Sequence, residues 1–506
     1  MTDLRDNEWT PSFPRWGYVL LLMAVLLLSR LPQMMSPNLL LDGDECISGL
    51  MAKHVSEGKD FPVFLYGQQY GFSLLETLSG AFCFKLFCVG AAPLKFAMLI
   101  LWAAGVLFYY LSVSAIVGKD KGFWIALLLV FIPAWAVWSM KARAGYVTAF
   151  SVSSAVIYAV IRNAGRTGWV GWFVVGAMAS LVYFAQPLWI PGLVPIVIYG
   201  VWSCKRMVSW VGLLSGISGS TFVLKFLASL NRPYYWPPPP FARQVAICQL
   251  PERMFVGLTG YDHLVRSFTP ANCIAGLLCL LAMAGGVIRI RRSAKGSRDA
   301  WTYVFLLSVF FTLVYISFLR TFPERYLLPL SGSLILWIGV EFSRLAARNK
   351  WFERSCVLLL FVMISTGIFS FIVGEKYSIF TEAPRDGRPE VEDLRSLISY
   401  LKKKDIRHTF SPDPFLHWQI IFYSNEDILS RWRHPADRYP PYPREVDRAF
   451  YANKNTALIK YPEPFRIARS QWNASLMSGV PNRYILIERP TLYQLHSYGF
   501  RLNDPS

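Results

Sequence analysis

Residues 15–45 read RWGYVLLLMAVLLLSRLPQMMSPNLLLDGDE, an apolar run of bilayer-crossing length that leads within a few residues to three acids, Asp42, Asp44 and Glu45. The pattern repeats outward: about a dozen apolar segments of near-spanning length follow one another at 17–35, 74–90, 94–117, 122–140, 146–163, 169–186, 188–203, 208–229, 271–288, 301–320, 326–343 and 355–374. Of the 506 residues, 54% are hydrophobic and 16% charged, which excludes a disordered chain and points to an α-helical polytopic membrane protein. No small-residue cleavage site follows the first run, so it is expected to stay as a span. No repeat is visible.

The formal net charge of +19 would suit nucleic acid, but its distribution argues otherwise. Residues 1–375 carry 31 basic and 17 acidic side chains, and the excess gathers in short loops: 204–206, 289–298 and 344–354. Basic loops of this kind mark the cytoplasmic side, so the charge is a topology signal and no nucleic-acid partner is expected. The outer side then receives the loops 36–72 and 230–270, residues 321–325 and everything after 375. An inside start and an outside end need an odd number of crossings, so one of the twelve segments does not span or one is missed, with 74–117 the suspect region.

After 375 the composition turns polar, and 376–506 are expected to form a small α/β domain on the outer face, beside the membrane domain 1–375. Val391–Lys404 has a helical rhythm; His417–Tyr423, Ala457–Lys460 and Arg483–Glu488 resemble strands. The eight cysteines contain no CxxC pair, and no metal site is expected; Cys248 and Cys273 fall in or beside one outer loop and could pair, though most thiols are expected to be free. Asn473-Ala474-Ser475 matches a glycosylation sequon, as chance also allows.

Chemistry is expected in the loop 36–72, which holds Asp42, Asp44, Glu45, His54, Tyr66, Gln68, Gln69 and Tyr70. Adjacent carboxylates at a membrane surface would raise the pKa of one of them and suit it to take a proton from a hydroxyl. The competing reading is that Asp42 or Asp44 caps a helix from Glu45 to Ser56. Glu76, inside an apolar run, needs a partner or a purpose. His54 and His263 read as ordinary loop histidines, and Tyr234, Tyr235 and Trp236 as either an interfacial belt or part of a folding-over loop. Trp418, Trp432, Trp472, Tyr439 and Tyr442 could stack on the rings of a ligand or simply pack.

The Asp44-Glu45 pair after the first span, followed by Gly49–Glu76 (GLMAKHVSEGKDFPVFLYGQQYGFSLLE), resembles the first outer loop of GT-C-type membrane glycosyltransferases, the group that includes protein O-mannosyltransferases and the lipid A aminoarabinose transferase. Lys141-Ala142-Arg143-Ala144-Gly145-Tyr146, Gln186-Pro187, Arg325-Tyr326-Leu327-Leu328-Pro329 and Arg438-Tyr439-Pro440-Pro441-Tyr442 extend the likeness over nearly the whole chain. The resemblance implies about 11–13 transmembrane helices. It also implies transfer of a sugar from a polyprenyl phosphate to a lipid, glycan or protein acceptor hydroxyl on the outer side of a plasma membrane, such as a bacterial inner membrane, with inversion and without a cofactor. By the same resemblance Asp44 is the base and Glu45 orients the acceptor or keeps the loop folded. Arg325 is the expected phosphate ligand, then Lys141 and Arg143. Glu76, Tyr66, Gln68, Tyr70 and Tyr326 are expected to support the loop or touch substrate. A carrier for lipid-linked sugars, and a glycan polymerase or ligase with a diphosphate-linked donor, are the rival readings; the absence of a repeat and the surface position of the acids weigh against the carrier.

Overall fold

A computed structural model of the chain describes residues 14–35, 39–132, 135, 138–166, 168–230, 298–319, 324–346, 390–434, 437–462 and 483–503, with a few isolated positions between. The expected segments 271–288 and 355–374, the loop 230–270 with its aromatics and His263, Cys248, Cys273, Cys279, Cys356, Trp472 and the Asn473 sequon lie wholly or almost wholly outside them.

Apolar sequence becomes helix wherever it is described. The N-terminal part contains α1 (Arg15–Met34), α2 (Gly43–Glu57), α3 (Leu74–Leu86), α4 (Ala91–Val117), α5 (Lys119–Phe131), α6 (Tyr146–Asn163), α7 (Trp169–Ala185), α8 (Ile190–Ser203), α9 (Met207–Leu230), α10 (Arg298–Ser317) and α11 (Leu328–Ala346). Among the described residues, five helical stretches, at Arg15–Met34, Ala91–Val117, Met207–Leu230, Arg298–Ser317 and Arg325–Arg344, are long and apolar enough to cross a membrane, and the protein is multi-pass. Many of their outward side chains are large and apolar, as on Leu20, Leu21, Leu27 and Leu28 of α1, as a lipid-facing surface demands. The α7–α9 pair approaches closely because Gly212 and Gly216 lie one turn apart: a Cβ on Gly216 would come within 2.1 Å of the Phe173 carbonyl oxygen.

The parity conflict has a structural counterpart in α3. Thirteen residues make a helix of only about 20 Å, short of the roughly 30 Å hydrocarbon layer. It packs its Thr77, Gly80, Ala81 and Phe84 face inward and leaves Leu78, Phe82 and Leu86 exposed along the other, the pattern of a helix lying on a membrane surface. Charge inside the spans is handled by internal pairing. Arg30 in α1, fully buried, donates to the Val130 and Trp135 carbonyls (2.8 and 3.3 Å) where α5 breaks at Ile132, and to Ser139 Oγ (3.0 Å). The carbonyls beside the break thus gain a donor from a neighbouring helix, the Trp135 carbonyl in addition to the Ser139 amide (3.1 Å).

The C-terminal unit contains α12 (Glu390–Lys403), β1 (His408–Phe410), α13 (Leu416–Tyr423), β2 (Leu429–Arg431), α14 (Pro441–Tyr451), β3 (Thr456–Lys460), β4 (Ile485–Glu488) and α15 (Leu492–Ser497). Its sheet runs β2-β1-β3-β4, with β1 parallel to both neighbours and β4 antiparallel to β3. The strand expected at His417–Tyr423 is a helix instead. An eight-residue apolar run has no decisive period, and Asp413 Oδ1 accepts from the Phe415 and Leu416 amides (2.8 and 2.9 Å), which starts a helical turn. Parallel pairing of β1 with β2 also requires a crossover, which α13 supplies.

The unit is docked on the first loop rather than tethered beside it. Phe422 covers Gly49 of α2, where a Cβ would meet its ring at 2.5 Å, and one apolar cluster joins Ile47, Leu50 and Met51 to Trp418, Ile421 and Tyr442. Gln419 Nε2 donates to the Leu41 carbonyl and the Tyr423 hydroxyl accepts from the Leu41 amide (2.8 and 2.9 Å), fixing the chain just before the acids.

Candidate active site

Asp42, Asp44 and Glu45 divide three tasks among them. Asp42 caps α2: its Oδ1 accepts from the Glu45 amide (2.9 Å) while Glu45 Oε2 accepts from the Asp42 amide (3.1 Å), a reciprocal capping box. Burial pushes the Asp42 carboxyl up, but Lys141 (Nζ 3.0 Å) and Arg143 (Nη1 3.3 Å) outweigh it and hold it well below the usual carboxylate range. Glu45 is fully buried, ion-paired with the fully buried Lys95 of α4, and accepts from the Ala142 amide (3.3 Å). Burial pushes the Glu45 carboxyl up despite the Lys95 ammonium against it. The raised carboxylate therefore exists, but in a fully buried pair that is not part of the lining of the cavity at Asp44.

Asp44 lines a cavity of about 800 Å³ between the first loop, the ends of the helices and the C-terminal unit. Arg143 Nε donates to its Oδ2 (3.0 Å), and Arg438 Nη2 lies 3.4 Å from its Oδ1. Gln68, Gln69, Tyr70, Tyr146, Gln186, Arg325 and Tyr326 line the same space, with the Arg325 guanidinium 5.6 Å from the Tyr326 ring centre. The far wall belongs to the C-terminal unit: Pro414, Phe415, His417, Trp418, Trp432, Asp437 and Arg438.

The loop carrying Arg143 is held by three contacts. Glu76, buried at the start of α3, accepts from the Gly145 and Thr148 amides (3.2 and 3.1 Å), serving the first turn of α6 as a cap supplied from another helix. Gln186 Nε2 donates to the Ala144 carbonyl (2.8 Å). Gly145 has φ +77°, and a Cβ there would lie 2.8 Å from both the Phe72 and Ala185 carbonyl oxygens. Gly145→Ala is therefore expected to cost about 1–3 kcal/mol. Detergent-solubilised protein should melt at a lower temperature; an unchanged melting curve would show that this junction tolerates a side chain.

The expected site residues thus separate into three groups. Asp44, Gln68, Tyr70, Arg143, Arg325 and Tyr326 meet at the cavity, whereas Glu45, Lys141 and Glu76 lie behind it and hold the loops. Tyr66 joins a separate polar cluster that latches the C-terminal unit: its hydroxyl donates to Asp60 (2.8 Å) and meets His54 Nδ1 (2.8 Å), while His54 Nε2 faces Glu426 Oε1 (3.1 Å). Glu426 also pairs with Lys53 and accepts from the Tyr442 hydroxyl (2.7 Å). His54 is therefore more than a solvated loop histidine. His417, Asp437 and Tyr146 were not read as site residues from the sequence, and Arg438 was noted only as part of a motif. His417 Nε2 lies 3.2 Å from Asp437 Oδ2, with both side chains buried. Burial pushes the Asp437 carboxyl up, yet the facing His417 charge and the Arg438 amide bring it below its ordinary value. Among the described residues no cluster of three or more His, Cys, Asp or Glu side chains could hold a metal ion.

No family model matches the chain, and no curated protein matches it in sequence. Solved structures do match in shape. ArnT from Cupriavidus metallidurans bound to undecaprenyl phosphate is 13% identical with a TM-score of 0.59, over 94% of this chain and 98% of that one. The arabinofuranosyltransferase AftD from Mycobacteria is 15% identical with a TM-score of 0.54, over 89% of this chain and 35% of that one. The Archaeoglobus fulgidus oligosaccharyltransferase in the apo form is 10% identical with a TM-score of 0.50, over 90% and 70%. All are GT-C glycosyltransferases, and the fold of this chain is GT-C-like.

Proposed function

We propose that this chain is an integral membrane glycosyltransferase that moves a sugar from a polyprenyl-phosphate donor to an acceptor hydroxyl, with inversion and with Asp44 as the base. The observation that carries the reading is Asp44 itself, the one acid of the first-loop trio on the cavity wall, in a space also lined by Arg143, Arg325 and Arg438. The acceptor hydroxyl gives its proton to Asp44 while its oxygen bonds to the anomeric carbon. The bond from that carbon to the phosphate oxygen breaks on the opposite face, and its electron pair leaves with the polyprenyl phosphate. A phosphate leaving group needs its charge met rather than a proton supplied, and Arg325 is the cation at the helix-end wall suited to that. Arg143 bridges Asp42 and Asp44, and Lys141 serves Asp42, so both are assigned to the carboxylates rather than to the donor. That the similar ArnT structure holds undecaprenyl phosphate supports a donor of this class.

Helix polarity supports an outer-leaflet site. α6 runs from Tyr146 at the cavity to Arg162, α8 follows Leu188 at the cavity and ends beside Lys205 and Arg206, and the last described span starts at Arg325 and ends at Arg344. Basic flanks therefore lie at the ends away from the site, as expected if the cavity and the C-terminal unit face outward from a plasma membrane.

Arg325→Gln is expected to raise the donor KM about tenfold or more, because a guanidinium–phosphate contact is a charge-assisted hydrogen bond. Steady-state release of polyprenyl phosphate across donor concentrations measures it. An unchanged donor KM would remove Arg325 from the donor site.

A further inference from the structure

The cavity wall supplied by the C-terminal unit is chemically unlike the wall supplied by the helices. It presents Phe415, about half exposed, and Trp432, whose Nε1 is pinned to the Pro412 carbonyl (3.0 Å), so that two aromatic faces border the space. Arg438 borders the same space, within ion-pair reach of Asp44. Its backbone is fixed by Asp437, whose Oδ1 accepts from the Arg438 amide (2.7 Å) and whose Oδ2 lies 3.2 Å from His417 Nε2. Its Nη2 lies 3.4 Å from Asp44, while its Nη1 is buried with no hydrogen-bond partner among the described residues. A buried guanidinium nitrogen without a partner is costly, and a ligand oxygen would relieve that cost.

We propose that Arg438 is an acceptor-binding residue and that the acceptor is a saccharide, an inference that rests on the glycosyltransferase reading above. The two terminal nitrogens of a guanidinium sit side by side in a rigid fork. With Nη2 on Asp44, an oxygen bound by Nη1 is the neighbour of the oxygen whose proton Asp44 takes. The site therefore selects a hydroxyl flanked by a second free hydroxyl on the next carbon, as sugar rings carry. Phe415 and Trp432 cover the apolar face of such a ring, a mixture of flat apolar surface and few oriented polar groups typical of small-ligand sites. His417 and Asp437 act through Arg438 as positioning residues.

The test uses the full-length protein in membranes, a panel of radiolabelled single-sugar polyprenyl phosphates, and the envelope glycan fraction of the producing cells as acceptor, with and without prior periodate cleavage of vicinal diols. Wild-type protein is expected to label the saccharide, and to lose the acceptor after periodate. Arg438→Gln is expected to raise the acceptor KM about tenfold or more while the donor KM stays unchanged, and Arg438→Lys to recover part of the loss. Undecaprenyl phosphate binding, followed by tryptophan fluorescence, should be intact in both variants and so exclude misfolding. Label on protein or on a lipid lacking sugar, acceptor activity that survives periodate, or a raised donor KM with the acceptor KM unchanged would each overturn the inference while leaving the glycosyltransferase reading standing. Failure of wild-type protein to release polyprenyl phosphate from any donor would instead remove that reading, and this inference with it.

Discussion

Asp44→Asn is expected to lower sugar transfer by at least about a hundredfold, the lower bound for losing a positioned general base. The substitution keeps the size of the side chain and removes only its charge and basicity. Arg143 and Arg438 lose their partner at Asp44, but Arg143 still holds Asp42 and both remain at the cavity, so the loop should persist. Expression and binding of undecaprenyl phosphate should therefore remain near wild-type. The rate of acceptor labelling at saturating donor measures the loss. An active Asp44→Asn protein would show that another group takes the proton.

Lys95→Met is expected to give the largest loss of stability. It leaves the Glu45 carboxylate fully buried without its cation, and breaking one side of a buried pair costs about 3–5 kcal/mol. Adding Glu45→Gln removes the stranded charge but keeps one oxygen where Glu45 offers two, so it serves the Asp42 or the Ala142 amide and sets an NH2 against the other, and the double variant should recover part of the lost melting temperature in detergent. Because Glu45 does not border the cavity, that double variant should also retain transfer, in contrast to Asp44→Asn. Equal melting of the single and double variants would mean that the Glu45 charge does not need Lys95. A stable but inactive double variant would return Glu45 to the chemistry.

The spans and the acidic loop were legible because they rest on local pattern: apolar length, a sharp return of acids and short basic flanks. The division of labour among the acids was not, since it depends on partners far along the chain. Lys95 is the single charged residue of Ala91–Val117, and a lone lysine in such a run signals a buried partner, so Glu45 could have been assigned to it. Arg30 in the first span carried the same signal. Burial, with the neighbouring Asp42 adding to it, does raise Glu45, whereas Asp42 is held down because Lys141 and Arg143 arrive from a loop almost 100 positions away. The cavity wall at 414–438 was the hardest to foresee. It comes from a short helix read as a strand and from a turn of which only Arg438 belongs to a quoted motif, brought to the first loop by the docking of Phe422 on Gly49, of Gln419 and Tyr423 on Leu41, and of Glu426 on Lys53 and His54.

The central claim, a transferase acting on a lipid-phosphate sugar, is tested most directly by following both products at once. Purified wild-type protein in liposomes, given a panel of single-sugar polyprenyl phosphates and an acceptor fraction, should release free polyprenyl phosphate in step with sugar appearing on the acceptor, for one donor, and with the anomeric configuration inverted. Movement of the intact lipid-linked sugar across the bilayer with no polyprenyl phosphate released would contradict the account and identify a carrier.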